Sequence, residues 1–195
     1  MSTEVIRLAV IIGSVREGRF GPTVTEWFVS EAEPREDITV DVIDLADVPL
    51  SLAGPVREPS AEMAEALDRV SPRIDRADAF VVVTPEYNHS FPAALKNAID
   101  WHLTQWRAKP VGFVSYGGFS GGLRAIEQLR LVFGELHAVT VRDCVSFHGG
   151  AAAFDDNGRP NDVAGSDAAA KTLLDQLAWW ALALKEARTK RPYAS

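Results

Sequence analysis

The sequence predicts a single α/β domain built on a five-stranded parallel sheet of order 2-1-3-4-5, with helices on both faces. Five short apolar runs alternate with five stretches of helical periodicity, the pattern of strands joined by crossover helices. Three of those runs, Leu-Ala-Val-Ile-Ile, Ala-Phe-Val-Val-Val and Val-Gly-Phe-Val-Ser, are apolar on both faces, as strands buried between two helical layers must be. The length of 195 residues supplies one sizeable core and falls short of two ordinary domains, so residues 1–195 are expected to form one unit.

The first strand is expected over Leu8 to Ile12, followed by a helix whose buried stripe is Val24, Trp27 and Phe28. Ile38 to Ile43 alternates apolar with polar residues and reads as an edge strand. The next helix carries Met63, Leu67, Val70 and Ile74 at helical spacing, and the third strand runs from Ala79 to Val83. Leu95, Ala98 and Ile99 mark a helix extending over Ala93 to Leu103, and the fourth strand is Val111 to Ser115. Ile126, Leu129, Phe133 and Leu136 define the next helix, a broken strand follows over Val139 to Phe147, and Leu173, Leu177, Trp180 and Leu184 define the last helix. Gly54 to Ser60 and Ala151 to Ser166 read as surface loops. In such a sheet, ligands sit beyond the carboxyl ends of strands one, three and four.

Composition narrows the chemistry. A net charge of -7 would repel a polyphosphate backbone, so nucleic acid is not an expected partner, and an anionic ligand needs a local cationic pocket. No run reaches the eighteen or so apolar residues of a membrane span. The lone Cys144 permits no internal disulfide, and the polar lead-in from Met1 carries no signal peptide, so a reducing cytoplasm is the expected compartment.

Three loops carry the candidate chemistry. After strand one, Gly13-Ser14-Val15-Arg16-Glu17-Gly18-Arg19-Phe20-Gly21-Pro22-Thr23 places glycine, hydroxyl and arginine before a helix amino terminus, where free amides and the helix dipole favour an anion. Gly13 and Gly18 have the spacing of a triphosphate loop, but Arg19 and Phe20 replace its lysine and hydroxyl, so a monophosphate is the natural reading. After strand three, two prolines bracket Glu86, Tyr87 and Asn88 in a stiff loop. After strand four, Tyr116-Gly117-Gly118-Phe119-Ser120-Gly121-Gly122 lets a flat ligand approach the backbone closely.

Gly-Ser-x-Arg, Thr-Pro-Glu-Tyr-Asn-His-Ser with Leu-Lys-Asn-Ala-Ile-Asp-Trp, and Tyr-Gly-Gly with Gly-Gly-Leu-Arg together resemble the NADPH-dependent FMN reductase family, over roughly Val5 to Phe147. The resemblance implies a three-layer flavodoxin-like fold, noncovalent FMN, and a two-step exchange. NADPH or NADH reduces the flavin, and a small acceptor such as free flavin, a quinone, an azo compound or a metal oxyanion reoxidises it. It further implies that Ser14, Arg16, Gly21 and Thr23 surround the phosphate with Arg19 near it. Pro85, Glu86, Tyr87 and Asn88 would flank the isoalloxazine, and Tyr116, Gly117, Gly118 and Gly121 would bind its pyrimidine edge. Many members carry Ser and Asn where this chain has Arg19 and Gly21. Hydride transfer demands alignment rather than a general acid, so no catalytic side chain is nominated.

The remaining candidates have plainer readings. His102 continues the Leu95 stripe and reads as a packed histidine; His137, His148 and Cys144 lack partners at metal-ligand spacing, and no metal site is expected. His89 adjoins the predicted pocket but is assigned a structural hydrogen bond. Lys185, Arg188, Lys190 and Arg191 read as a solvated helix end. Trp101 and Trp106, left off the sheet-facing stripe, point to a homodimer or homotetramer with that helix in its interface. A flavodoxin-type electron carrier and a phosphate-binding regulatory domain are the competing functions; two arginines in the first loop and the Tyr87-Asn88 pair disfavour the carrier.

Overall fold

The computed structural model describes residues 4–193; residues 1–3, the polar lead-in, and residues 194–195 lie outside them. Strands β1 (Ile6–Ile12), β2 (Ile38–Asp44), β3 (Ala79–Pro85) and β4 (Pro110–Gly117) form a parallel sheet with β2 at one edge. β2 takes the edge position read for it, but its burial does not follow the alternation: Ile38 and Ile43, five residues apart and so on opposite faces, are buried in the two cores, while Val42 is exposed. The other edge is split: β5 (Val139–Thr140) pairs with the start of β4, and β6 (Val145–His148) pairs with its end. The single broken strand read from Val139 to Phe147 is therefore two short ones in one sheet position, the order being β2-β1-β3-β4 followed by β5 and β6.

Helices α1 (Gly21–Ala32) and α5 (Val163–Lys190) close one face over Leu8, Val10, Val81, Val83 and Val114. Helices α2 (Ala61–Arg76), α3 (Ala93–Asp100) and α4 (Leu123–Glu135) close the other over Ala9, Ile11, Phe80, Val82 and Phe113. Neighbouring strand residues thus feed opposite cores, which is why the central runs tolerate no polar residue before their carboxyl ends.

Several boundaries differ from the sequence reading. Helix α3 stops at Asp100, not Leu103, and α5 begins at Val163, inside the segment read as loop, where Asp162 accepts the Gly165 amide at 3.0 Å and caps the first turn. Trp180 stands at the surface beside Trp179, while Leu174, Ala178 and Ala181 join Leu173 and Leu177 in the core. Trp106 is fully buried between Phe80 and Phe133 and donates its indole N–H to the Ile99 carbonyl. Trp101 donates its own to Ser51. The two indoles therefore form no exposed pair, because the turn after α3 folds Trp106 back under the sheet. His102 is buried, bonded to Ser71 and the Ala98 carbonyl.

The cationic end of α5 is likewise not simply solvated. Lys185 reaches Asp78, and Arg188 donates to the Ala108 carbonyl. Beside them Lys109 is buried and donates to Ile74 (3.3 Å) and Asp75 (2.7 Å), terminal carbonyls of α2. Burial pushes its ammonium down to about 8 from 10.5. Between those two values the unfolded chain binds more protons than the folded one, so stability rises with pH across that window, and below it the desolvation cost is carried in full. Relative to Lys109→Met, the wild-type protein is expected to gain roughly 3 kcal/mol between about pH 7 and 10.5. Urea midpoints at the two ends of that range check this; a difference that stays flat would contradict it.

Candidate active site

The three loops converge at the carboxyl edge of β1, β3 and β4. In the first, Gly13 donates its amide to the Val83 carbonyl at 2.9 Å, and a Cβ there would sit 3.1 Å from Leu95, so the loop lies tight against β3. Ser14 is fully buried and its hydroxyl shares a 2.6 Å hydrogen bond with the Tyr87 hydroxyl, tying the first loop to the second. Arg16 is exposed, its guanidinium carbon 5.8 Å from the Tyr87 ring centroid. Helix α1 opens with Gly21, Pro22 and Thr23 and has no side-chain cap; Pro22 lacks an N–H and the Gly21 amide meets the Tyr116 hydroxyl, so the Thr23 amide is the donor its first turn keeps for an anion. Thr23 lies beside Gly158 of the β6–α5 connection, which returns over this end of the site.

Arg19 is not free for a phosphate. It makes a two-pronged ion pair with Asp44 at the end of β2 and donates to the Ser14 carbonyl at 2.9 Å. Burial acts to raise the Asp44 carboxyl, but the hydrogen bonds from Arg19 and the Ala46 amide outweigh it and hold the group below its ordinary value. Arg19 thus shapes the loop, and Arg16 is left as its solvent-facing arginine. Gly21 is also a packing requirement: a Cβ there would meet Ile12 at 2.9 Å and the Tyr116 hydroxyl at 3.1 Å.

The second loop is a tight hairpin turn in which Tyr87 and Ser90 exchange both backbone hydrogen bonds. Asn88 and His89 between them both have positive φ, 48° and 72°, the conformation of a two-residue primed turn. Such strain persists only when surroundings enforce it. Here Gln128 of α4 supplies the brace, donating to the His89 carbonyl and accepting from Ser90. Pro85 is buried at the end of β3. Glu86 is spent inside the protein: its carboxylate accepts from Ser120, from the Arg124 amide at 3.2 Å and from the Arg124 guanidinium at 3.3 Å. Burial alone would raise its pKa, but those donors hold it below the usual carboxylate range and keep it ionised. It joins the second loop to the third instead of presenting a face to a ligand.

In the third loop the glycines divide by role. A Cβ on Gly117 would sit 3.1 Å from the Gly122 amide, one on Gly121 would collide with Ser146 and His148, and one on Gly122 would reach Ser115 at 2.6 Å. Gly121 and Gly122 also need positive φ, 63° and 88°. A Cβ on Gly118 meets nothing within 4 Å. Tyr116 does not reach the planar end of the site: as a β4 residue of the α1 face, it is buried beneath Phe20, with its hydroxyl at the Gly21 amide, and burial pushes its pKa well up.

Sequence reading missed Asp44, Ser120, Gln128, His148 and Gly158. Asp44 had a signal, an acid at the carboxyl end of a strand flanking the first loop. Arg124 and Gln128, four residues apart, share one face of α4 and so meet the same turn. Two clefts border the first loop. One of about 490 Å³ is lined by Ile12, Pro22 and Val42 with Asp44, Arg69 and Arg73, the two arginines being paired with Glu65 and Asp41, and one of about 450 Å³ by Val15, Leu45, Leu50, Ala94 and Asn97.

An uncapped helix end with an exposed arginine at one side, and an open glycine backbone at the other, fit a phosphate joined to a flat ring. Fold and site together define a flavodoxin-like flavoprotein. The model of the NADPH-dependent FMN reductase family matches residues 6–152, and the chain belongs to that family. It is therefore an FMN-dependent oxidoreductase that draws electrons from NAD(P)H.

An NAD(P)H-dependent FMN reductase of Schizosaccharomyces pombe is 38% identical over 67% of this chain and 66% of its own length. A quinone reductase of Pseudomonas putida is 34% identical over 82% of this chain and 87% of its own. Among solved structures, the flavoenzyme NAD(P)H:(acceptor) oxidoreductase FerB of Paracoccus denitrificans superposes with a TM-score of 0.69 at 24% identity, covering 91% of this chain and 98% of that one. Flavodoxin 1 of Bacillus cereus does so at 0.56 and 14%, covering 88% and 99%, a likeness of fold.

Proposed function

We propose that the whole chain is one domain that reduces small acceptors, quinones foremost, with FMN seated across the three loops. Arg16 and Thr23, the latter through its amide and hydroxyl, hold the phosphate; Tyr87, Asn88 and Gly118 contact the ring, with Gly117 shaping the approach. Ser14, Arg19, Gly21, Pro85, Glu86, Tyr116 and Gly121 serve one step removed, fixing the loops that do so. The observation carrying this assignment is Gly118, the one glycine of its loop whose missing side chain leaves open space rather than relieving an internal clash.

FMN supplies the redox chemistry, accepting a hydride and passing on two electrons. The overall balance is NAD(P)H plus quinone plus one proton giving NAD(P)+ and hydroquinone. Glu86, held ionised by its donors, is not the source of the second proton. The protein's part is to orient two planar reactants.

No helix among the described residues is long and apolar enough to cross a membrane. We place the protein in the cytoplasm and as a homodimer or homotetramer. With Trp106 buried, the α3 end offers Trp101 and exposed Leu103 to such a contact. The purified protein is expected to be yellow and to bleach on anaerobic addition of NADPH with no partner protein. A colourless protein that takes up no FMN would refute the reading, and one that binds FMN but stays oxidised until a protein reductase is supplied would be an electron carrier instead.

A further inference from the structure

Phe119 is 91% exposed, the largest exposure of any large apolar side chain among the described residues. Surface loop tips ordinarily carry small or polar residues. This ring instead projects from the glycine loop immediately after Gly118, beside the open space assigned to the flavin ring. Its backbone is held on every side. The Gly118 carbonyl accepts from the Gly149 amide at 2.9 Å, the Phe119 carbonyl faces His148 Nδ1 at 3.3 Å, and the Ser120 hydroxyl donates to Glu86. The loop is pinned and the ring alone is free, with the Arg124 guanidinium carbon 6.0 Å from its centroid.

Nothing in the packing asks for an aromatic residue here. A phenyl ring on a fixed backbone has only two rotatable bonds to order, so it offers contact area at small entropic cost. Its electrostatics favour offset or edge contact with another flat ring, and quinones and flavins are flat. Of the next most exposed, Leu131 on α4 and Trp179 on α5 lie on helix surfaces away from these loops, and Leu52 lies in the β2–α2 connection, on a cleft it shares with Val15 of the first loop.

We propose that Phe119 is a specificity-determining residue of the acceptor site, stacking on planar aromatic acceptors as they dock over the flavin and favouring them over compact non-planar oxidants. This rests on the flavin assignment at Gly118, so the experiment separates the two. FMN affinity is first measured by fluorescence titration for the wild-type protein, Phe119→Ala and Phe119→Tyr. A wild-type protein that binds no FMN would refute the underlying assignment rather than this one.

On the FMN-loaded proteins, kcat/KM is then measured with NADPH for menadione and for ferricyanide. The expected result is a menadione-to-ferricyanide ratio about tenfold lower in Phe119→Ala, chiefly through the menadione KM, with Phe119→Tyr restoring it to within about twofold. An unchanged ratio in the alanine variant, or an equal fall in both variants, would overturn the proposal. So would a drop in the mass of Phe119→Ala by light scattering, which would assign the ring to a subunit contact.

Discussion

Gly118→Val is expected to yield a folded, colourless protein. The first carbon of the added side chain would have no neighbour within 4 Å, so it brings no clash of its own. Far-ultraviolet circular dichroism and the thermal midpoint should therefore match the wild type, with a surface substitution of this kind worth about 0.5 kcal/mol or less. The same branched side chain occupies the space through which the flat end of FMN must approach the backbone. Overpacking of that kind costs about 1–3 kcal/mol, or up to a hundredfold in affinity, and loss of the backbone hydrogen bonds adds to it. Flavin titration reads the outcome: retention of FMN at wild-type affinity would remove Gly118 from the site. The neighbouring glycines make the control. Gly122→Val, at φ 88° and with Ser115 within 2.6 Å of a Cβ, should fail by losing the fold rather than the flavin alone.

Arg16→Ala is the second large effect. Arg16 is exposed, no ion pair holds it among the described residues, and it leans on Tyr87 at the mouth of the first loop. Removing a charge-assisted contact to a phosphate costs about 1.5–3 kcal/mol, so the FMN dissociation constant should rise about tenfold to a hundredfold with little change in stability. Riboflavin, which lacks the phosphate, supplies the discriminating measurement. Its affinity should be nearly the same in the variant and the wild type. Equal losses for FMN and riboflavin would show that Arg16 acts on the ring or on the fold, not on the phosphate.

The two arginines of the first loop show how far a sequence can carry such an assignment. Both Arg16 and Arg19 stand in a glycine-rich loop before a helix, and composition treats them alike. They diverge because β2 runs parallel beside β1 and its carboxyl end brings Asp44 up to Arg19, a contact spanning 25 residues of chain. The same holds for Glu86, whose partner Arg124 is delivered by α4 packing behind the second loop, and for Gln128, which α4 itself carries to that loop. Tyr116 was assigned to the planar end from its place in a motif, yet strand alternation points it into the α1 core.

What the sequence determined by itself is the architecture and the chemistry class. Doubly apolar strands alternating with amphipathic helices admit few parallel topologies, and three short motifs name the family because they place turn and ligand chemistry at the carboxyl ends of β1, β3 and β4. Those signals are local, each confined to about a dozen residues. What only the tertiary structure decided is which loop residues are paired with one another and which are left unpaired. That division depends on pairings between distant segments: Arg19 with Asp44, Ser14 with Tyr87, Glu86 with Ser120 and Arg124, and the crowding that separates Gly121 and Gly122 from Gly118. Each is set by where strands and helices bring side chains together in space, a quantity that residue type and spacing along the chain do not encode.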